Sequence, residues 1–274
     1  GRCLSRSTLT IISKQEREWT GTPSTTQLLN GTRLSYLQLT KEYYIDPKST
    51  AYALLGTKVH KELEIQGRDV DATLVEKKLG TEITGTPDLY EYSFHDGEHI
   101  LVDRKTWGSF RVAKVLGLKA IKIPDPSGAT YQRSGSGYKA GEPKMITVFE
   151  YDPASQDTFE SDMQLNHYRL LLEAAGYPVD KMMLEVIVRD GNTYIANSRG
   201  ITEEMYYIPV RELDDNDVLI YFNHKKRDLL HCLENHIMPD PCKPWETWDG
   251  IRCQRYCQVW EHCDVGIAAH QNES

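Results

Sequence analysis

The chain has 274 residues, of which 39% are apolar and 26% are charged, a composition typical of a globular protein. No run approaches the roughly 20 apolar residues that span a bilayer, which excludes a membrane-spanning role. The formal net charge of -8 excludes a protein that coats nucleic acid through charge alone, because phosphate binding depends on clustered Lys and Arg.

Residues 1–21 are interpreted as an N-terminal extension. Arg2 and Arg6 stand there among Ser and Thr, with no acidic residue before Glu16 and no apolar signal region. We expect a cytoplasmic or nucleoid-associated protein of bacterial, archaeal or phage type, and organellar targeting stays open.

The first half of the chain predicts two helices followed by a hairpin. The apolar spacing in 22–41 predicts one helix, and that in 49–65, which carries His60, predicts a second. Two β-rich runs, 83–94 and 98–107, then flank an Asp-Gly pair at Asp96 and Gly97, which is typical of a tight turn.

The second half alternates predicted strands and helices after a polar, Gly-rich stretch at 124–143. The predicted strands are 145–151, 184–190 and 206–210, and the predicted helices are 159–175 and 215–234. The tail after Asp264 is expected to be frayed. The order predicts an α/β fold with a mixed central sheet flanked by helices.

The hairpin predicts a cluster of charged side chains. If Asp96 and Gly97 form the turn, Asp88 lies opposite Lys105, and Asp103 shares their face of the sheet. Two carboxylates beside a lysine suit a Mg²⁺ or Mn²⁺ site. The alternative is a surface salt bridge between Asp88 and Lys105.

A basic strip follows the second strand of the hairpin. Nine basic residues stand against three acidic ones between Leu101 and Met145. Candidate DNA contacts here are Arg104, Trp107, Arg111 and Lys114, and Phe110 is a further candidate for a displaced strand. The alternative is a solvated loop face.

Several motifs occur in a characteristic order. They are Gly56-Thr-Lys-Val-His60-Lys-Glu-Leu-Glu64, Gly85-Thr-Pro-Asp88, Val102-Asp103-Arg104-Lys105-Thr106 and Gln164-Leu-Asn-His-Tyr168. Together they resemble the RecB-like branch of the PD-(D/E)XK nucleases, which includes CRISPR-associated and recombination exonucleases. The resemblance runs from about Pro23 to Cys263 and implies a restriction-endonuclease-like core over 22–238.

The resemblance implies a divalent-metal site of defined composition. His60, Asp88 and Asp103 would ligate Mg²⁺ or Mn²⁺, with the backbone carbonyl of Arg104 as a further ligand. Lys105 would assist the attacking water.

The resemblance also places a helical pair beside the active centre. Gln164 and Tyr168 are one helical turn apart and can face the same cleft. Their implied role is contact with DNA or support of Lys105.

Four cysteines fall within 22 residues near the C-terminus: Cys242, Cys253, Cys257 and Cys263. Such clustering indicates a metal-binding knuckle over 239–264, packed on the core and followed by a tail at 265–274. Four thiolates suit Zn²⁺ or a [4Fe-4S] cluster, and reduced free thiols are the alternative.

The cysteine pattern departs from that of the iron-sulfur members of the family. Those members carry one cysteine in the first helix and three near the C-terminus, and here Gly31 occupies the place of the first. Cys242 is a candidate replacement, and Cys3 is a second candidate.

The expected function is a metal-dependent DNA nuclease, with an exonuclease on DNA ends or single strands favoured by the resemblance. It would hydrolyse phosphodiesters with water and leave 5′-phosphates. Expected partners are DNA and proteins of recombination, replication or CRISPR-type systems. The rivals are a catalytically silent DNA-binding or assembly subunit and a structure- or sequence-specific endonuclease.

Overall fold

The structure is a computed structural model that describes residues 4–13, 19–47, 54, 56, 61, 62, 65 and 73–271. The chain divides into two compact units. Unit 1 comprises Gly1–Arg104, Glu160–Met183 and Pro209–Ser274, and unit 2 comprises Lys105–Phe159 and Leu184–Ile208.

Helices and strands alternate along the described residues. The α-helices are α1 (Arg6–Ser13), α2 (Thr25–Leu29), α3 (Thr32–Thr40), α4 (Ser109–Val115), α5 (Phe159–Ala174), α6 (Tyr194–Asn197), α7 (Asp215–Asn235), α8 (Ile251–Arg255) and α9 (Asp264–Gln271). The strands are β1 (Thr73–Val75), β2 (Leu89–Ser93), β3 (Glu98–Trp107), β4 (Leu118–Pro124), β5 (Met145–Tyr151), β6 (Lys181–Val188) and β7 (Met205–Pro209).

The strands form two sheets. A five-stranded, mostly antiparallel sheet has the order β1-β2-β3-β6-β7, so β3 is its central strand, and β4 pairs with β5 in a separate two-stranded sheet. This confirms a mixed α/β fold with a central sheet flanked by helices.

The β2–β3 hairpin has a different turn from the one predicted. Leu89 pairs with Val102 and Ser93 with Glu98, so four residues, 94–97, form the loop. A two-residue type I′ turn needs positive φ at both of its central residues. Gly97 has a φ of +73°, but Asp96 is not among the described residues with positive φ, and the Ser93 hydroxyl bonds the Asp96 carboxylate at 3.0 Å.

The resulting register corrects the predicted pairing of Asp88 with Lys105. Continuing the observed pairing by one position places Asp88 opposite Asp103. Because the shift is two residues, each side chain keeps its predicted face of the strand.

The helix predicted over 22–41 is two helices. The Ser24 hydroxyl accepts a hydrogen bond from the Gln27 N–H and caps α2, and the helical path breaks at Asn30 and Gly31 before α3 begins. Of the helix predicted at 49–65, only residues 54, 56, 61, 62 and 65 are described, and they are helical.

The predicted strand at 145–151 and the predicted helices at 159–175 and 215–234 are confirmed within one residue. The sequence interpretation missed α4 and β4. The prediction that the tail is frayed was also wrong for residues 264–271, which form α9. This helix is held by close packing of Gly266 against Trp260 and by stacking of the Trp260 and His270 rings at 3.9 Å.

The core of unit 1 brings its helices together. Apolar side chains of α2, α3, α5 and α7 form one buried cluster, which also receives Ile83 and Val259. The amide of Asn166 in α5 donates to the Arg211 carbonyl at 2.9 Å and accepts from the Leu213 N–H at 2.9 Å, which positions α5 against the segment before α7.

Unit 2 is built around α4 and the β4–β5 hairpin. The chain between these strands continues their pairing through bridges of Thr130 with Pro143 and of Gly135 with Tyr138. The Tyr131 and Tyr138 rings stack there at 3.9 Å. The Gly-rich stretch is therefore an ordered extension of the hairpin.

Among the helices that the structure describes, none is long and apolar enough to cross a membrane.

Candidate functional site

The two predicted acidic residues meet where β2 begins. Asp103 lies in the central strand and is 1% exposed, whereas Asp88 is half-buried just before β2. The Arg104 N–H donates to Asp88 Oδ2 at 2.8 Å, so the backbone of β3 orients this carboxylate. Two carboxylates in opposed positions repel each other, and a cation bound by both offsets that cost.

The predicted helical pair lies beside Asp103. Gln164 Nε2 donates to Asp103 Oδ1 at 3.2 Å and to the Tyr168 hydroxyl at 3.3 Å, and all three side chains are buried. The four-residue spacing on α5 places Gln164 and Tyr168 on one helical face. The structure therefore joins residues of two separate sequence motifs.

Gly85, in the motif that ends at Asp88, allows α5 to approach closely. A Cβ atom at position 85 would lie 2.6 Å from Leu171 Cδ1 and 2.9 Å from two ring carbons of Tyr168. Real Cβ atoms are essentially never so close to other heavy atoms. A glycine is needed here because the Tyr168 ring packs on the chain just before Asp88.

His167, between Gln164 and Tyr168, has a structural role. Its Nδ1 shares a hydrogen bond with the Thr25 hydroxyl at 2.8 Å, and its ring packs 4.2 Å from that of Phe222. Burial lowers the pKa of His167 to about 4, so the ring is neutral at pH 7. It fixes α5 to the start of α2.

Lys105 follows Asp103 by two positions on β3 and is half-buried. Side chains alternate along a strand, so Lys105 and Asp103 project from the same side of β3 and Arg104 from the other. Lys105 is the first residue of unit 2.

His60, the third predicted metal ligand, lies outside the described residues. Within the described ranges, no group of three or more His, Cys, Asp or Glu side chains is arranged to hold a metal ion. Among the described residues, the candidate site accordingly contains two carboxylates, Asp88 and Asp103. The Arg104 carbonyl stays a predicted ligand.

The four C-terminal cysteines are reduced, and their side chains are not arranged as a metal-binding group in the structure. Cys253 and Cys263 lie close enough to Cys242 and Cys257 for electrostatic interaction. Burial raises the pKa values of the Cys242, Cys253 and Cys257 thiols. They are therefore neutral at pH 7 unless a cation stabilises the thiolates. Cys3, the other candidate ligand, lies outside the described residues.

Three of these sulfur atoms have N–H donors. The Leu34 N–H bonds Cys242, the Val259 N–H bonds Cys257, and Arg33 Nη1 approaches Cys263 Sγ at 3.7 Å. A neutral thiol is a weak acceptor, and an ionised acceptor bonds more strongly. The backbone donors to Cys242 and Cys257 therefore offset only part of the effect of burial, and the pKa values of these two thiols stay raised.

Cys242 occupies the space beside Gly31. A Cβ atom at position 31 would lie 2.9 Å from Cys242 Cβ and closer still to Cys242 Sγ. Position 31 has a φ of -57°, which any residue can adopt, so only the nearness of Cys242 excludes a side chain. The Cys242 thiol therefore lies where a side chain at position 31 would begin.

The predicted DNA contacts of unit 2 lie just before α4 or on it, from Trp107 to Lys114. The Arg111 guanidinium lies 5.4 Å from the Trp107 ring centroid and pairs with Asp157, and Lys114 Nζ lies 5.2 Å from the Phe110 ring centroid. Arg104, the remaining predicted DNA contact, is half-buried in unit 1.

Two further arginines of unit 2, Arg189 and Arg199, reach the start of α4 and were missed by sequence reasoning. About 80 residues or more separate them from Gly108 and Ser109, and they match no motif. No local sequence signal could have identified them.

No family model matches this chain, and no curated protein matches it. A solved structure titled "Crystal structure of SSO0001" is similar at 17% sequence identity, over 95% of this chain and 94% of that one, with a TM-score of 0.47.

Proposed function

We propose that this protein is a metal-dependent deoxyribonuclease, with exonucleolytic action on DNA ends or single strands favoured. The main support is the arrangement of half-buried Asp88 with buried Asp103 and Gln164: the β2–β3 register, continued by one position, sets the two carboxylates opposite each other, and Asp103 accepts a hydrogen bond from the Gln164 amide. Such oxygen ligands are those that Mg²⁺ and Mn²⁺ prefer.

The proposed reaction is phosphodiester hydrolysis. A bound divalent cation would polarise the phosphate and make water a better nucleophile. A water oxygen forms a bond to phosphorus, the bond to the 3′ oxygen breaks, and that oxygen leaves as a hydroxyl with a proton from the water. The products carry a 5′-phosphate and a 3′-hydroxyl.

The protein side chains have distinct proposed roles. Asp88 and Asp103 hold the cation, with His60 and the Arg104 carbonyl as further ligands. Lys105 orients the water or stabilises the charge that grows on the phosphate. Gln164 is a positioning residue because its amide donates to Asp103 Oδ1 and thereby fixes the orientation of that carboxylate.

The test uses end-labelled single- and double-stranded DNA with Mn²⁺. We expect Asp103→Asn to reduce cleavage by about 100-fold or more, because a cation contributes several kcal/mol to the transition state. Glu91→Gln is the matched control, since Glu91 lies on β2 but on the opposite face from Asp88. Wild type without metal-dependent cleavage, or Asp103→Asn with full activity, would contradict the proposal.

The same experiment separates the rival functions. A silent DNA-binding subunit would bind these substrates without cutting them. A circular single-stranded substrate resists an exonuclease, whereas an endonuclease would give discrete bands from it.

The cysteine region supports a second proposal, a site for Zn²⁺ or an iron-sulfur cluster bound by Cys242, Cys253, Cys257 and Cys263. Its support is the set of N–H donors to sulfur and the position of Cys242 beside Gly31. When bound, either group would crosslink the C-terminal segment from Cys242 to Cys263, and Cys242 packs beside Gly31 just before α3.

An exchange of residues tests the cysteine site. We expect Cys242→Gly to lose the metal, and Cys242→Gly combined with Gly31→Cys to recover it, as measured by metal analysis and visible absorption under anaerobic conditions. Iron with visible absorption indicates a cluster, and zinc without it a zinc site. Cys232→Ala, a buried cysteine of α7 outside the set, is the matched control. Metal-free wild type would overturn the proposal in favour of free thiols.

A further inference from the structure

An apolar ring lies exposed among cations at the start of α4 in unit 2. Phe110 is 56% exposed. Lys114 Nζ lies 5.2 Å and Arg199 Cζ 5.7 Å from its ring centroid, and these cations belong to chain segments about 85 residues apart. An exposed aromatic ring beside convergent positive charge is a feature of nucleic-acid binding surfaces.

A third cation reaches the same helix start from β6. Arg189 follows β6, its N–H donates to the Trp107 carbonyl at 2.7 Å, and its Nη2 would lie 3.5 Å from a Cβ at Gly108. With Arg111 there are four cations on or beside α4. Asp157 pairs with Arg111 and Asp190 with Arg199, so cations outnumber carboxylates by four to two among these six residues of an acidic protein.

Arg199 is held in place by the N-terminus of α4. Asp190 accepts hydrogen bonds from the Ser109 N–H at 2.6 Å and the Ser109 hydroxyl at 2.7 Å, and Arg199 Nη1 donates to that hydroxyl at 2.8 Å. The guanidinium is thereby preorganised beside Phe110. A preorganised cation loses less entropy on binding a phosphate than a mobile one.

We propose that Phe110, Lys114, Arg189 and Arg199, here called the α4 patch, bind single-stranded DNA. The inference rests on the proposed nuclease function, to which it adds Arg189 and Arg199 as substrate contacts. Phe110 offers its ring to an unpaired base, and the cations meet the adjacent phosphates. Tyr194 on α6, which packs against α4, is 87% exposed and offers a second ring.

The exposed aromatic ring of the α4 patch explains why it would bind single-stranded rather than double-stranded DNA. Bases of a duplex stack on one another and leave no face for Phe110, whereas those of a single strand can stack on protein rings. Charge alone would bind either form, since every phosphate carries the same charge. The α4 patch therefore selects unpaired DNA through Phe110 and strengthens binding through its cations.

The experiment measures fluorescence anisotropy of a labelled oligothymidylate with the full chain and no divalent cation, so that no cleavage occurs. We expect Phe110→Ala to weaken binding about fivefold or more without changing its salt dependence. Arg189→Ala and Arg199→Gln should weaken it about threefold or more and lower the slope of log Kd against log salt by about 0.7 each. Arg199→Gln keeps a donor for the Ser109 hydroxyl, which protects the fold.

Arg227→Ala removes an exposed cation of α7 in unit 1 and is the matched control. Binding within about twofold of wild type in all three patch variants would overturn the inference. So would equal weakening by Phe110→Ala toward duplex DNA. If the patch variants lose binding but the wild type does not cleave DNA, only the nuclease proposal is contradicted. If the wild type cleaves DNA but the patch variants bind it as well as the wild type does, only the proposal for the α4 patch is contradicted.

Discussion

The carboxylate site and the cysteine site of unit 1 are held together in different ways. Asp88 and Asp103 are positioned by β2 and β3, which are neighbours in sequence, and one contact from α5 completes the arrangement. Cys242 is positioned by Gly31 and Leu34, more than 200 residues earlier in the chain. The first site depends on strand pairing and the second on packing between distant segments.

This difference has a physical consequence. A paired hairpin is stabilised by its backbone hydrogen bonds, so one side-chain change leaves the opposed positions intact. Packing between distant segments has no such backbone support, so a single added or removed atom alters it. We therefore expect substitutions to lower the free energy of unfolding more at the cysteine site than at the carboxylate site.

The largest effect is expected at the ion pair beside the cysteine site. Lys225 Nζ lies 2.6 Å from Glu246 Oε1, and the two side chains are only 12% and 8% exposed. We expect Lys225→Met to lower the free energy of unfolding by about 3–5 kcal/mol, because it leaves a buried carboxylate unpaired.

The adjacent Lys226 provides the matched control for urea denaturation. It pairs with Glu82, whose side chain is 80% exposed, so Lys226→Met should cost less than about 1 kcal/mol. Equal losses in the two variants would contradict the assignment of a buried, stabilising pair to the cysteine region.

Acid should weaken the packing of α5 through His167. Its folded pKa of about 4 lies below the ordinary value of 6.5, so the unfolded chain takes up the proton first. The contribution of the neutral His167 ring to the free energy of unfolding is fully present above pH 6.5. It is lost as the pH falls to 4, and in total it amounts to about 3 kcal/mol.

Urea unfolding at pH 7 and pH 5 measures this effect. His167→Gln should flatten the pH dependence in that window, whereas His224→Gln, at an exposed position on α7, should leave it unchanged. A wild-type stability that stays constant between the two pH values would show that His167 is protonated or solvated in the folded protein.

Gly31→Ala tests the close packing at the cysteine site. The added methyl group meets Cys242, so we expect a loss of about 2 kcal/mol in the free energy of unfolding, typical of overpacking. In a Cys242→Gly background the same substitution should cost less than about 1 kcal/mol, and a double-mutant cycle measures the difference. Additive effects would mean that the two residues are not in contact.

The smallest effect on stability is expected at the carboxylate site. Gln164→Ala removes the amide that bonds Asp103 and should cost about 1 kcal/mol. Its affinity for Mn²⁺, measured by calorimetry, should fall about tenfold because the carboxylate loses its orientation. Gln38→Ala, which removes an exposed amide pair with Gln258, is a control expected to leave Mn²⁺ affinity unchanged.

Much of the fold was predictable because it depends on local patterns. Helical periodicity predicted α5 and α7, and alternating β-rich runs predicted β2, β3 and β5. The resemblance implied that Gln164 and Tyr168 lie beside the site of Asp103, and in the structure Gln164 donates hydrogen bonds to both Asp103 and Tyr168. The close packing of Cys242 on Gly31 was not predictable, since more than 200 residues separate the two positions.

The sequence by itself determined which faces the charged residues occupy, because side-chain alternation along a strand survives a two-residue shift in register. Only the tertiary structure decided the register of β2 and β3, which continued by one position sets Asp88 opposite Asp103, since the loop at 94–97 fixes the pairing of Leu89 with Val102. It likewise decided that Arg199 lies beside Phe110 and that Cys242 lies beside Gly31, because such contacts between distant segments have no periodicity in the sequence.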